Sequence, residues 1–305
     1  MKHRFVRLLA AALLLALLGG SALAEEALSF TDDLGRAVTL PARPQRVAAL
    51  IGSFADIWCL AGGADTLVAA ADDTFRKFEL PISPDVINLG ATKAISLEKL
   101  LLAEPELILA SSQTALDVEL EPVLAQLGLT AAYFEVSTFE DYLRMLSRCT
   151  ELTGCPENYA RYGEQVRAQV EAARARADGS CPTVLYIRAT GTSCRVKGSE
   201  GSVLGEMLAA LDCANIADSE KSLLETLSME AILAADPEFI FLVEQSADPD
   251  DARRMLEKTL FADPAWQTLT AVREGRCFVM DPALYNLKPN ARWGEAYEAL
   301  ADILY

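Results

Sequence analysis

The chain carries one fifteen-residue segment twice. The first copy, residues 96–110, reads SLEKLLLAEPELILA, and the second, residues 228–242, reads SMEAILAADPEFIFL. Aligned without a gap, seven of the fifteen positions are identical, and the copies lie 132 residues apart. That offset is far longer than a solenoid period, so it marks a duplication of half-domains. Each copy has the same physical grammar. Ser96 and Ser228 are N-cap residues for short apolar helices over 97–103 and 229–235. Pro105 and Pro237 stop those helices, because the residue before proline is pushed out of the helical region. The continuous apolar runs 107–109 and 239–241 then suit strands buried on both faces, as in a parallel sheet. Two such units predict two similar α/β lobes.

Each copy also places an acid in the first turn of its helix, Glu98 and Glu230. A single acid there is explained by the helix dipole, which favours it by roughly 0.3–1 kcal/mol. The same exposed acid in both lobes makes a matched pair of contact points.

The N-terminus reads as a secretory signal over residues 1–24: Lys2, Arg4 and Arg7, then the apolar run 8–18, then Ala22-Leu23-Ala24 as the cleavage site. No cysteine stands near that site to accept a lipid, so an untethered periplasmic protein is expected. The signal holds three basic residues and no acid, so its removal takes the formal charge from −17 to −20. So acidic a chain repels nucleic acid and offers no polybasic membrane patch. The only histidine is His3, inside the signal. The mature chain therefore has no Ser-His-Asp or Cys-His nucleophile and no ordinary histidine metal site, and neither an enzyme nor a metal cofactor is expected. The seven cysteines form no CxxC pair. Cys149 and Cys155 are spaced to bridge across a helix end, but small buried apolar roles account for most of the seven equally well.

Read in order, residues 30–41 form a hairpin with its turn at 32–35. Strand 46–51, a helix carrying Trp58, strand 67–71, a polar loop at 72–76, the first repeat copy, helix 118–127 and strand 131–136 complete an N-terminal lobe over 25–155. Residues 156–178 read as one long polar helix with proline at its start and a narrow apolar stripe, suited to crossing between domains. A second lobe over 179–305 begins with strand 183–187 and a Gly/Ser/Thr-rich stretch at 188–202. It ends with helix 266–273, strand 277–280 and helix 290–304. Trp58 and Trp266 read as core.

In open parallel sheets, ligands sit outside the carboxyl ends of the strands. That rule selects Ser53, Phe54, Arg76 and Gln113 from the first lobe. From the second it selects Arg188, Lys197, Gln245, Tyr285, Lys288, Arg292 and Trp293.

The segments TDDLGRAVTLPARPQRVAAL, SLEKLLLAEPELILAS, LSMEAILAADPEFIFL and VREGRCFVMDP, in this order and behind a signal, resemble the periplasmic binding proteins of ABC importers for iron–siderophore, haem and vitamin B12. The resemblance covers nearly all of the mature chain. It implies two Rossmann-like lobes joined by a single long helix, little closure on binding, and a monomer working with a membrane permease and its ATPase. It also implies that Glu98 and Glu230 dock on permease arginines. Arg76, Arg188, Arg195, Lys197, Lys288 and Arg292 suit an anionic iron chelate or haem propionates, whose iron Tyr186 or Tyr285 would ligate. Phe54, Tyr285 and Trp293 suit a corrinoid face, and both readings stay open at this point. A chelatase-like enzyme of similar shape is disfavoured by the missing histidine.

Overall fold

The computed structural model describes residues 27–246 and 248–305; the signal segment lies outside them. The chain opens with an antiparallel hairpin, β1 (Leu28–Thr31) and β2 (Ala37–Leu40). Buried Asp32 ties this hairpin to the first lobe: its carboxylate accepts the backbone N–H groups of Leu34, Arg36 and Tyr133 and pairs with Arg36 at 2.7 Å.

The first lobe is a five-stranded, all-parallel sheet of β3 (Val47–Ala49), β4 (Leu67–Ala70), β5 (Ile87–Asn88), β6 (Leu107–Ser111) and β7 (Ala131–Phe134), in the order β5-β4-β3-β6-β7. Strand order reverses between β3 and β6, which creates a crevice at their carboxyl ends. The second lobe contains β8 (Thr183–Ala189), β9 (Cys194–Lys197), β10 (Ala214–Asn215), β11 (Phe239–Glu244) and β12 (Cys277–Met280). Its parallel order is β10-β8-β11-β12, with β9 folded back antiparallel on β8. The reversal here falls between β8 and β11.

The repeated segments form the same structure in both lobes. Ser96 Oγ accepts the Lys99 N–H and Ser228 Oγ accepts the Ala231 N–H, each at 3.3 Å. Glu104 and Asp236 then turn left-handed, at φ 44° and 40°, immediately before their prolines. The strands that follow are buried along nearly their whole length.

Three stretches differ from the sequence reading. Residues 72–76 are not a loop but helix Asp72–Lys77. Its acids lie in the first turn and its bases in the last, as the helix dipole prefers, and Arg76 pairs with Asp72 at 2.6 Å one turn away. The stretch 188–202 contains β9, whose alternating Cys194-Arg195-Val196-Lys197 has the period of a strand. Helix 266–273 is two short pieces, Trp266–Thr268 and Thr270–Arg273. Trp58 and Trp266 are core, at 0% and 2% exposure.

Between the lobes the chain is helical over Pro156–Tyr159, Ala160–Glu164 and Gln165–Arg174, the middle piece being a π-helical turn. It packs along the C-terminal helix Trp293–Leu304. A β-carbon at Gly294 would stand 2.2 Å from Gln169 Oε1, so only glycine permits this approach. A second crossing comes just before that helix. Asn290, fully buried and left-handed at φ 51°, donates to the Ser53 carbonyl at 2.9 Å and to Asp56 Oδ2 at 2.8 Å in the first lobe. One apolar core runs through both lobes. Two crossings and a shared core predict little hinge motion: scattering curves with and without ligand are expected to superimpose. A contraction of several ångströms in radius of gyration on binding would contradict this.

Candidate functional site

A cleft of about 620 Å³ opens between the lobes. Arg76 and Lys77, at the last turn of helix Asp72–Lys77, line its first-lobe side. The second lobe supplies Glu244, Gln245 and Ser246 beyond β11, then Asp281, Pro282, Ala283, Asn286 and Leu287 beyond β12. Both groups stand at carboxyl ends of parallel strands, where such sheets bind ligands. Lys288 is half-buried, its ammonium 5.9 Å from the centre of the Phe54 ring. Burial pulls its pKa down, and Asp73 opposes the fall.

The hairpin β8–β9 carries a second cationic feature. Its register sets Arg188 opposite Arg195 and Tyr186 opposite Lys197, so all four side chains share one face of the hairpin. Like charges directly opposed across a sheet are destabilising. Among the described residues no carboxylate pairs with Arg188, Arg195 or Lys197 within salt-bridge distance. Arg188 instead donates through Nε and Nη2 to the Tyr186 hydroxyl, both at 3.3 Å. The Lys197 pKa is depressed, first by burial and then by Arg188 and Arg195. Arg195 also lines a separate hollow of about 230 Å³ with Leu223, Leu224 and Glu225, apart from the cleft between the lobes.

The first-lobe switch point is polar and buried. Gly52 N–H donates to Asp73 Oδ1 at 3.0 Å, and Ser111 N–H donates to Asp117 Oδ2 at 2.8 Å. Asp117 Oδ1 has no partner among the described residues. Burial pushes the Asp117 pKa up to about 6; the Ser111 bond opposes this and Asp73 adds to it. A carboxyl whose folded pKa exceeds its unfolded value favours the folded state below the unfolded pKa, and that contribution is lost as pH rises through the folded one. Asp117→Asn is therefore expected to raise the melting temperature relative to the parent at pH 8. The gain should shrink as pH falls through about 6 and vanish near the carboxyl's ordinary 3.8. A difference independent of pH would refute this.

The structure disperses the residues selected from sequence. Arg76 and Gln245 line the cleft, Lys288 stands against Phe54 at the lobe junction, and Arg188 and Lys197 form the cationic face with Arg195. Ser53 is buried, with its carbonyl engaged by Asn290. Exposed Gln113 follows β6 outside the cleft lining, its N–H on Ser111 Oγ at 3.2 Å. Arg292 forms a two-bond pair with Glu295 one turn along the final helix and does not line the cleft.

The aromatic group is corrected outright. Phe54 and Trp293 are at 0% exposure, and Tyr285 at 2% gives its hydroxyl to the Ala296 carbonyl. Trp293 packs edge-on against Phe139 of the first lobe at 5.9 Å, and Phe54 meets Phe134 edge-on within its own lobe at 6.3 Å, so these rings are occupied in packing. Tyr186 is also fully buried.

Sequence reasoning passed over Lys77, Glu244, Asp281 and Asn286. Glu244 ends β11, where the carboxyl-end rule can find it; Lys77 owes its place to a helix that the polar run 72–77 does not announce. The seven cysteines are unpaired. Cys149 is fully buried, while the Cys155 sulfur lies against Gly62, so the two do not bridge. Glu98 and Glu230 are exposed on equivalent helices, and neither has an ion-pair partner among the described residues.

Two lobes built on parallel strands, a helical bridge and a polar cleft between them give the architecture of a bilobed solute-binding protein. The chain belongs to the periplasmic binding protein family, whose model matches residues 47–284. The fold is that of the class III members, and several solved structures share it. The apo periplasmic haem-binding protein RhuT from Roseiflexus sp. RS-1 is 21% identical, over 86% of this chain and 98% of that one, with a TM-score of 0.66. Staphylococcus aureus SirA complexed with staphyloferrin B is 20% identical, over 91% and 97%, with a TM-score of 0.68. The vitamin B12 binding protein BtuF of Vibrio cholerae is 20% identical, over 86% and 97%, with a TM-score of 0.68. No curated protein matches the sequence. Among the described residues no helix is long and apolar enough to cross a membrane, and no group of three or more His, Cys, Asp or Glu could hold a metal ion.

Proposed function

We propose that this protein is the exported, substrate-binding component of an ABC importer, and that its substrate is an anionic iron chelate already saturated by its own ligand. The observation that carries this reading is the trio Arg188, Arg195 and Lys197 on one face of β8–β9, with no carboxylate paired to it among the described residues; Arg76 and Lys77 add two further cations in the cleft lining. Carboxylates on the chelate's periphery would neutralise these cations. The related folds are those of proteins for haem, a siderophore and vitamin B12. Haem and corrinoid readings both lose support here. Among the described residues the cleft lining contains no aromatic ring, and Tyr186 and Tyr285 are buried with engaged hydroxyls. The exposed pair Glu98 and Glu230 is the docking surface for the permease, which works with its own ATPase.

Calorimetry against a ferric polycarboxylate siderophore, haem, cobalamin and bare ferric ion tests the reading. The ferric polycarboxylate is expected to bind at micromolar affinity or tighter, and bare ferric ion poorly. A hydrogen bond to a charged group contributes about 1.5–3 kcal/mol, so Arg188→Ala should weaken binding roughly tenfold or more. Tight cobalamin binding unchanged by Arg188→Ala would transfer the assignment to corrinoids.

A further inference from the structure

The seven thiols are all free in the structure, and two of them, Cys181 and Cys213, flank the weakest join of the second sheet. Strand β10 is only two residues long and holds the outer edge of β8 through the pairs Ala214↔Thr183 and Asn215↔Val184. The pairing extends one step further back, where the Ala214 N–H donates to the Pro182 carbonyl at 2.9 Å. Cys213 is thus the neighbour of Pro182 across the strands, and Cys181 is one residue away on the diagonal. With strands about 4.8 Å apart and a rise of about 3.3 Å per residue, that diagonal is about 6 Å between α-carbons, inside the range a disulfide spans. A regular strand would send the two sulfurs to opposite faces. Cys181 is left-handed, at φ 51°, which breaks that alternation.

The electrostatics agree with this register. The Cys213 thiol is pushed up to about 12 by burial, then by Asp212 and by Cys181 itself. The phenol of Tyr305 feels both Cys213 and Cys181, and its hydroxyl bonds to the Leu211 carbonyl two residues before Cys213.

We propose that Cys181 and Cys213 are a disulfide site, closed after export by thiol–disulfide exchange. The oxidant is an external disulfide, small-molecule or protein. Exposed Cys181, as thiolate, attacks one sulfur of that disulfide and expels its partner as a thiolate, leaving a mixed disulfide on Cys181. Half-buried Cys213 then gives its proton to solvent and attacks the Cys181 sulfur, expelling the second thiolate. The protein dithiol loses two electrons and two protons, and the external disulfide becomes two thiols. The bond closes a loop holding β8, β9 and helix Val203–Ala210. It staples the two-residue edge beside the point where the chain leaves the bridging helix.

The test treats the full mature protein with oxidised glutathione, alkylates remaining thiols, and maps peptides without reductant. The expected product links the Cys181 peptide to the Cys213 peptide and leaves the other five cysteines alkylated. Reductant should lower the melting temperature of the oxidised protein by roughly 5–10 °C, as for a disulfide closing a loop of this length. The same reductant should leave Cys181→Ser and Cys213→Ser unmoved. Thiols that all remain alkylatable after oxidation, or a map linking either cysteine to a different partner, would overturn the assignment. So would a reductant-sensitive melting temperature retained in Cys181→Ser.

Discussion

Reversing both Glu98 and Glu230 to lysine is expected to abolish uptake while leaving chelate affinity intact. Both acids occupy the first turn of a short helix capped by serine, one in each lobe, and both are exposed. No cation of this chain engages them among the described residues, so nothing in the fold accounts for their charge beyond the helix dipole. Losing that favourable placement costs roughly 0.3–1 kcal/mol at each site, too little to unfold a protein of this size. The loss should therefore appear in transport and not in melting temperature or ligand titration. Each single reversal should leave partial uptake, because the other lobe still docks. Normal uptake by the double variant would remove the docking assignment, whatever the ligand proves to be.

Trp293→Ala should produce the largest loss of stability. Trp293 is wholly buried between Phe139 of the first lobe at 5.9 Å and Tyr297 of its own helix at 6.2 Å. Removing a buried tryptophan costs about 3–5 kcal/mol, which in a chain of this size is a fall of roughly 5–10 °C in melting temperature. Well below that transition, chelate affinity should match the parent. A folded variant with normal melting behaviour and a lost ligand would restore Trp293 to the binding site.

The sequence showed the two-lobed plan because its signals are local. A serine cap, a proline stop and an unbroken apolar run specify helix, turn and buried strand wherever they occur, and here they occur twice. The aromatic ligands were misjudged although their signal was present. Trp293, Ala296, Tyr297, Leu300 and Ala301 repeat at helical spacing and are all buried, as are Phe54, Ile57, Trp58 and Ala61. Such a stripe is the mark of a core face, and it outweighs proximity to a strand end. The place of Arg195 opposite Arg188 is hidden in the sequence for a different reason: strand register depends on a hairpin within a Gly/Ser/Thr-rich stretch. Asn290 could not be found from sequence at all, because its partners Ser53 and Asp56 lie more than 230 residues away.

That asparagine has a consequence for the transport cycle. With the lobes fastened at Asn290 as well as along the bridging helix, the gap between them is expected to keep one width whether occupied or vacant. Glu98 and Glu230 would then stand at the same separation in both states. On the docking role proposed for them, the empty protein would present the membrane with the same handshake as the full one, and idle copies would compete with loaded ones for the transporter. Discrimination between them would fall to whatever reads the cargo directly at the mouth of the cleft.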